Sequence, residues 1–96
     1  MAQVERITAG VYKVTGILDF STVTPLLTQI HSLSGVNEDM TVDFSALERS
    51  NSAGLALLLE ILADAKQQKR KISFSGIPDQ LLDLARMSNI DHLLLQ

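Results

Sequence analysis

The stretch Met40-Thr41-Val42-Asp43-Phe44-Ser45, followed by Ser50-Asn51-Ser52-Ala53-Gly54-Leu55-Ala56-Leu57-Leu58-Leu59, decides how the rest of the chain is read. Its first half is a short apolar run between polar segments, which fits a buried strand, and residues 45–51 are expected as a loop. Its second half sets small polar residues before a run of leucines, as at the start of a helix. Asn51 or Ser52 can accept a hydrogen bond from an N–H of the first turn that has no partner within the helix. That helix is expected from about Ser52 to Gln68. Strand, loop and helix in this order form the first part of a crossover unit, so the flanks should supply further strands.

Upstream, Val4 to Thr8 and Val11 to Thr15 read as strands joined by the turn Ala9-Gly10. In the second of them Val11 and Lys13 face one side while Tyr12 and Val14 face the other. Gly16-Ile17-Leu18-Asp19 ends this hairpin. Val23, Leu26, Leu27, Ile30 and Leu33 then recur at helical spacing. Ser21, Thr22 and Thr24 offer hydroxyls to the first turn, Pro25 sits early, and Ser34-Gly35 is the expected stop. Downstream, Lys71 to Ser75 alternates like a strand, and Gly76-Ile77-Pro78 opens a third helix with Leu81, Leu82 and Ala85 on its apolar side. Asn89 to Gln96 is a tail whose Leu93-Leu94-Leu95 should pack back. The expected architecture is α/β: β-β-α-β-α-β-α plus a tail, with a mixed, mostly parallel sheet, an opening hairpin and three or more helices, in one domain over residues 1–96. Apolar residues make up 46% and aromatics only 4%, so the core must be aliphatic.

Composition and motifs narrow the function. With 8 basic and 11 acidic residues the net charge is −3, which gives no footprint for nucleic acid or an anionic membrane surface. The absence of cysteine removes disulfides and thiolate chemistry. The N-terminus lacks a secretory pattern, and Leu55 to Leu59, the longest apolar run, is far short of the roughly 20 residues that span a bilayer. A soluble, cytoplasmic domain without direct membrane insertion is expected. The glycines at 10, 16, 35, 54 and 76 are too scattered for a phosphate loop, and no Gly-x-Ser-x-Gly elbow occurs. His31 and His92 lie far apart in sequence with no carboxylate at ligand-like spacing, and Glu38-Asp39 reads as solvated loop charge. The expectation is a chain with no catalytic residue, no metal and no cofactor.

The second helix carries the positive signal. At about 100° per residue, Leu55, Leu58, Leu59 and Leu62 fall together as a core stripe, with Glu60, Asp64, Gln67 and Gln68 opposite. Carried back to the first turn, this orientation exposes Ala53 and Leu57 beside Ser52, which would form a partly apolar docking patch.

The same residues carry a family resemblance. Val42-Asp43-Phe44-Ser45, the loop, and the small polar pair before Gly54-Leu55-Ala56-Leu57-Leu58 are similar to the hallmark segment of STAS domains (sulfate transporter and anti-sigma factor antagonist). Gly16-Ile17-Leu18-Asp19 resembles that family's Gly-x-Leu-Asp turn, and the likeness covers nearly the whole chain. It implies a non-catalytic, partner-binding domain that docks through Asp19, Ser50, Asn51, Ser52, Ala53, Gly54 and Leu57. In bacterial anti-sigma factor antagonists the residue matching Ser52 is the one phosphorylated by the partner kinase. The residue matching Asn51 is usually Asp there, and this chain departs from that pattern. Pro25, the run Gly54 to Leu59 and the ending Ala65-Lys66-Gln67-Gln68 look most like the cytoplasmic STAS subunits of the Mla phospholipid transport system of Gram-negative bacteria. That branch implies the ATPase subunit of an inner-membrane ABC transporter as partner, with the domain held at the membrane only through it. The antagonist branch implies an anti-sigma factor kinase on the same face.

Overall fold

The computed structural model describes residues 2–33 and 39–94. Gly10, at φ 79°, turns the chain between β1 (Ala2–Thr8) and β2 (Val11–Leu18), which pair antiparallel. α1 (Val23–Leu33) follows, then β3 (Met40–Ser50), α2 (Ser52–Gln67), β4 (Ile72–Ser75), α3 (Asp79–Met87) and the single turn α4 (Asp91–Leu94). The sheet order is β1-β2-β3-β4, with β2–β3 and β3–β4 parallel. The expected mixed α/β architecture is therefore the observed one, and the tail gains a helical turn. The expected stop at Ser34-Gly35 and the packing of Leu95 lie outside the described residues.

Two strands run further than the sequence suggests. β2 continues through Gly16 to Leu18, and β3 continues through residues 45–50, where a loop was expected. The apolar alternation ends at Phe44, so no periodicity marks the extension. Pairing to β2 holds it instead: Thr15 faces Ala46, Gly16 faces Leu47, Ile17 faces Arg49 and Leu18 faces Ser50. Two register shifts fit ten residues of β3, Thr41 to Ser50, beside the eight of β2, and such bulges bend a strand near its end.

Successive strands are added in one direction, so right-handed crossovers place α1 and α2 on the same face of the sheet. Burial agrees. Tyr12 and Val14 of β2 and Val42 and Phe44 of β3 are fully enclosed, whereas Lys13, Thr15, Thr41 and Asp43 on the other face are half-exposed. Leu26 and Ile30 of α1, Leu57, Leu58 and Ile61 of α2, and Leu81 and Ala85 of α3 close the core; Leu82 is only half-buried. Phe44 and Phe74 meet at 5.7 Å between ring centroids, a tilted pair between the two last strands. Lys69 and Asn89, both at φ 56°, turn the chain just beyond α2 and α3 in the left-handed conformation common after helix C-termini.

Candidate functional site

The carboxyl ends of β2 and β3 are locked side by side, since the Asn51 N–H donates to the Leu18 carbonyl at 3.1 Å. The turn into α1 and the start of α2 therefore leave the sheet together, at the edge where α/β folds collect their binding groups.

Each exit has its own capping device. In the first, Asp19 Oδ1 accepts hydrogen bonds from Ser21 N–H at 2.9 Å, Ser21 Oγ at 2.6 Å and Thr22 N–H at 3.1 Å. Thr22 Oγ1 accepts from Asp19 N–H and donates to the Ile17 carbonyl, both at 2.9 Å. The hydroxyl and N–H of Ser21 hold the Asp19 carboxyl below its ordinary value, so this exit carries a fixed negative charge at neutral pH. In the second, Asn51 is extended at φ −112° and its Oδ1 accepts from Ala53 N–H at 2.8 Å, a neutral cap.

The exposure pattern corrects the expected patch. Asn51 and Ser52 are exposed and Asp19 is half-buried, but Ser50, Ala53, Gly54 and Leu57 are buried, Leu57 completely. The helix is rotated about a quarter turn from the expected orientation. Its core face is Gly54, Leu57, Leu58, Ile61 and Ala65, and Leu55, Leu59 and Leu62 are left half-exposed. At about 100° per residue, apolar side chains cover more than half of this helix's circumference, so leucine positions alone do not select a face. Neighbours select it. Asp64, expected to face solvent, is half-buried because its carboxylate meets His31 Nε2 of α1. Gly54 admits the close approach on the other side: a Cβ there would stand 2.2 Å from Ser50 Oγ and 3.2 Å from Leu81 Cδ1. Ser50, Ala53, Gly54 and Leu57 thus seat the helix from beneath.

What the end of the sheet does expose is Phe20, at 77%, in the turn between Asp19 and Ser21, together with Ser52 and Ala56 one helical turn later. Sequence reasoning missed Phe20 and Ala56. An isolated phenylalanine between Asp19 and Ser21-Thr22, in a chain with so few aromatics, was the available signal.

A family model described as "Mlab, STAS domain" matches residues 2–96. The chain belongs to the STAS family. Among curated proteins, the intermembrane phospholipid transport system binding protein MlaB of Escherichia coli (strain K12) is 35% identical over 49 residues, covering 51% of this chain and 50% of that protein. The protein of the same name from Shigella flexneri matches to the same extent. The match thus spans about half the length of these relatives. Among solved structures, that of the anti-sigma factor antagonist SpoIIAA in its unphosphorylated form superposes with a TM-score of 0.72, covering 99% of this chain and 86% of that one at 16% identity. At that identity the likeness speaks for the STAS fold alone, and this STAS chain has the same strand–helix succession as the sequence led one to expect.

Proposed function

We propose that this STAS domain is a non-catalytic interaction subunit that binds the ATPase of a bacterial inner-membrane phospholipid ABC transporter. In this reading it is cytoplasmic and sits at the membrane only through its partner. The observation that carries the docking face is the pairing of an exposed Phe20 with the exposed start of α2, Asn51, Ser52 and Ala56, on two segments locked together at the Leu18–Asn51 hydrogen bond. A large aromatic beside small polar residues is the composition of an interface anchor with a polar surround. The MlaB relatives are named as binding proteins of an intermembrane phospholipid transport system, which favours a transport partner. No helix among the described residues is long and apolar enough to cross a membrane, which suits attachment through a partner.

A second reading rests on Ser52. It is exposed at the first position of α2, where a phosphate would meet the helix N-terminus and place nearly two negative charges in the face. That arrangement suits an anti-sigma factor antagonist released from its kinase by phosphorylation. The two readings are separated by direct titration of the purified domain against the ATPase subunit and against an anti-sigma kinase from the same cell. Binding to the ATPase with none to the kinase is expected. The reverse would replace the first reading with the second.

A further inference from the structure

Along the second half of α2, about 10 to 21 Å from Ser52 at helical rise, lies a second feature that the docking face does not use. Four half-buried aliphatic side chains, Leu59 and Leu62 of α2, Ile72 of β4 and Leu93 of α4, line one groove of about 770 Å³. That volume falls within the roughly 300–1,000 Å³ of small-ligand sites. Scattered half-exposed leucines need no explanation, but four that converge on one concavity do. The groove also has basic residues in its lining. Lys66, Arg70 and Lys71 line it, and with Lys69 they place half of the chain's eight basic residues within six positions of a molecule whose net charge is −3. Among the described residues neither Lys66 nor Lys71 makes an ion pair. Nearby acids are engaged elsewhere: Asp64 meets His31, and Asp39 Oδ1 accepts from the Lys71 backbone N–H.

We propose that this groove binds a long-chain aliphatic carboxylate, its tail on Leu59, Leu62, Ile72 and Leu93 and its head group at Lys66 and Lys71. Charge complementarity selects the head group, and the aliphatic floor, free of aromatic rings, selects a flexible tail. Lysines beside an edge strand such as β4 also deter unwanted strand pairing, but Lys66 projects from a helix, where that purpose does not apply.

The test is titration of sodium dodecanoate, below its micelle concentration, with methyl NMR and calorimetry, beside butyrate and uncharged dodecyl maltoside. Dodecanoate should bind saturably, one per chain, and shift the methyls of Leu59, Leu62, Ile72 and Leu93, and butyrate should not. The double variant Lys66→Gln/Lys71→Gln should weaken dodecanoate at least about tenfold, the size of one lost charge-assisted hydrogen bond, with an unchanged melting temperature. Unchanged affinity in that variant, shifts at other methyls, or no binding at about 1 mM, the weak limit for a specific ligand, would overturn the proposal. So would a groove that responds only to an acidic amphipathic peptide, or only to raised protein concentration through self-association.

Discussion

Beneath the proposed docking face, Gly54 packs so close to Ser50 that an added Cβ would stand 2.2 Å from the Ser50 hydroxyl. Alanine at position 54 gains about 1 kcal/mol in helix propensity over glycine. Its methyl would displace the Ser50 hydroxyl from the Asn51 carbonyl, a bond of 3.1 Å, and press on Leu81. Overpacking of this kind costs about 1–3 kcal/mol and the lost bond about 1 more, so the clash wins. Gly54→Ala should lower stability by about 1–3 kcal/mol in urea denaturation, and the added change Ser50→Ala should recover part of the loss. A stabilised Gly54→Ala protein would show that the contact is loose. Asp19 and Asp43 supply a second residue-scale prediction. Ser21 lowers the pKa of the first, and the Ser45 N–H and hydroxyl lower that of the second. A carboxyl depressed on folding contributes stability above its ordinary value of 3.8, and the contribution is lost as pH falls through the folded value. The urea midpoint should therefore be flat with respect to these two groups from neutrality to about pH 5, and decline below about pH 4. The double variant Asp19→Asn/Asp43→Asn should show a shallower decline.

At the scale of elements, α2 shows where the sequence was legible and where it was not. Its existence, its start and its Asn51 cap follow from local chemistry, because small polar residues before a leucine run have few other uses. Its rotation does not, since the side chains that choose it, His31, Ser50 and Leu81, belong to other elements. The same limit hid the far half of β3, whose residues 45–50 are a strand only because β2 lies alongside. The expected docking residues suffered accordingly: Asn51 and Ser52 face solvent as foreseen, while Leu57 lies in the core. The observed orientation is testable by truncation. Leu57→Ala or Leu58→Ala should cost about 2–5 kcal/mol, as for fully buried leucines. Leu55→Ala or Leu59→Ala, each removing a half-exposed side chain, should cost less than about 1.5 kcal/mol. Equal losses at all four positions in denaturant titrations would contradict the assigned face.

For the molecule as a whole, the helices cover one side of the sheet and leave the other open and polar. Across that open side the register sets Glu5, Lys13, Asp43 and Ser75 in one row over all four strands, so charges of opposite sign stand on neighbouring strands. An apolar interface anchor has no place in that row. The proposed anchor lies at the carboxyl end of the sheet, where Phe20 and Ser52 are exposed on segments joined through the Leu18–Asn51 hydrogen bond. Residues beneath this end, Leu18, Ser50, Gly54 and Leu57, are buried, so the face is presented on a packed base. Such preorganisation lets a small contact area bind without first being ordered. The decisive measurement is the affinity of the purified domain and its Ser52→Asp variant for the ATPase subunit of the phospholipid transporter, paired with their melting temperatures. The aspartate sits at the N-terminus of α2, where the helix dipole favours an anion, so folding should survive unchanged. Docking must desolvate or pair the new charge, at about 1–3 kcal/mol, so binding should weaken about five- to 150-fold. A Ser52→Asp domain that melts like the parent and binds the ATPase as tightly would contradict the account and place the interface elsewhere.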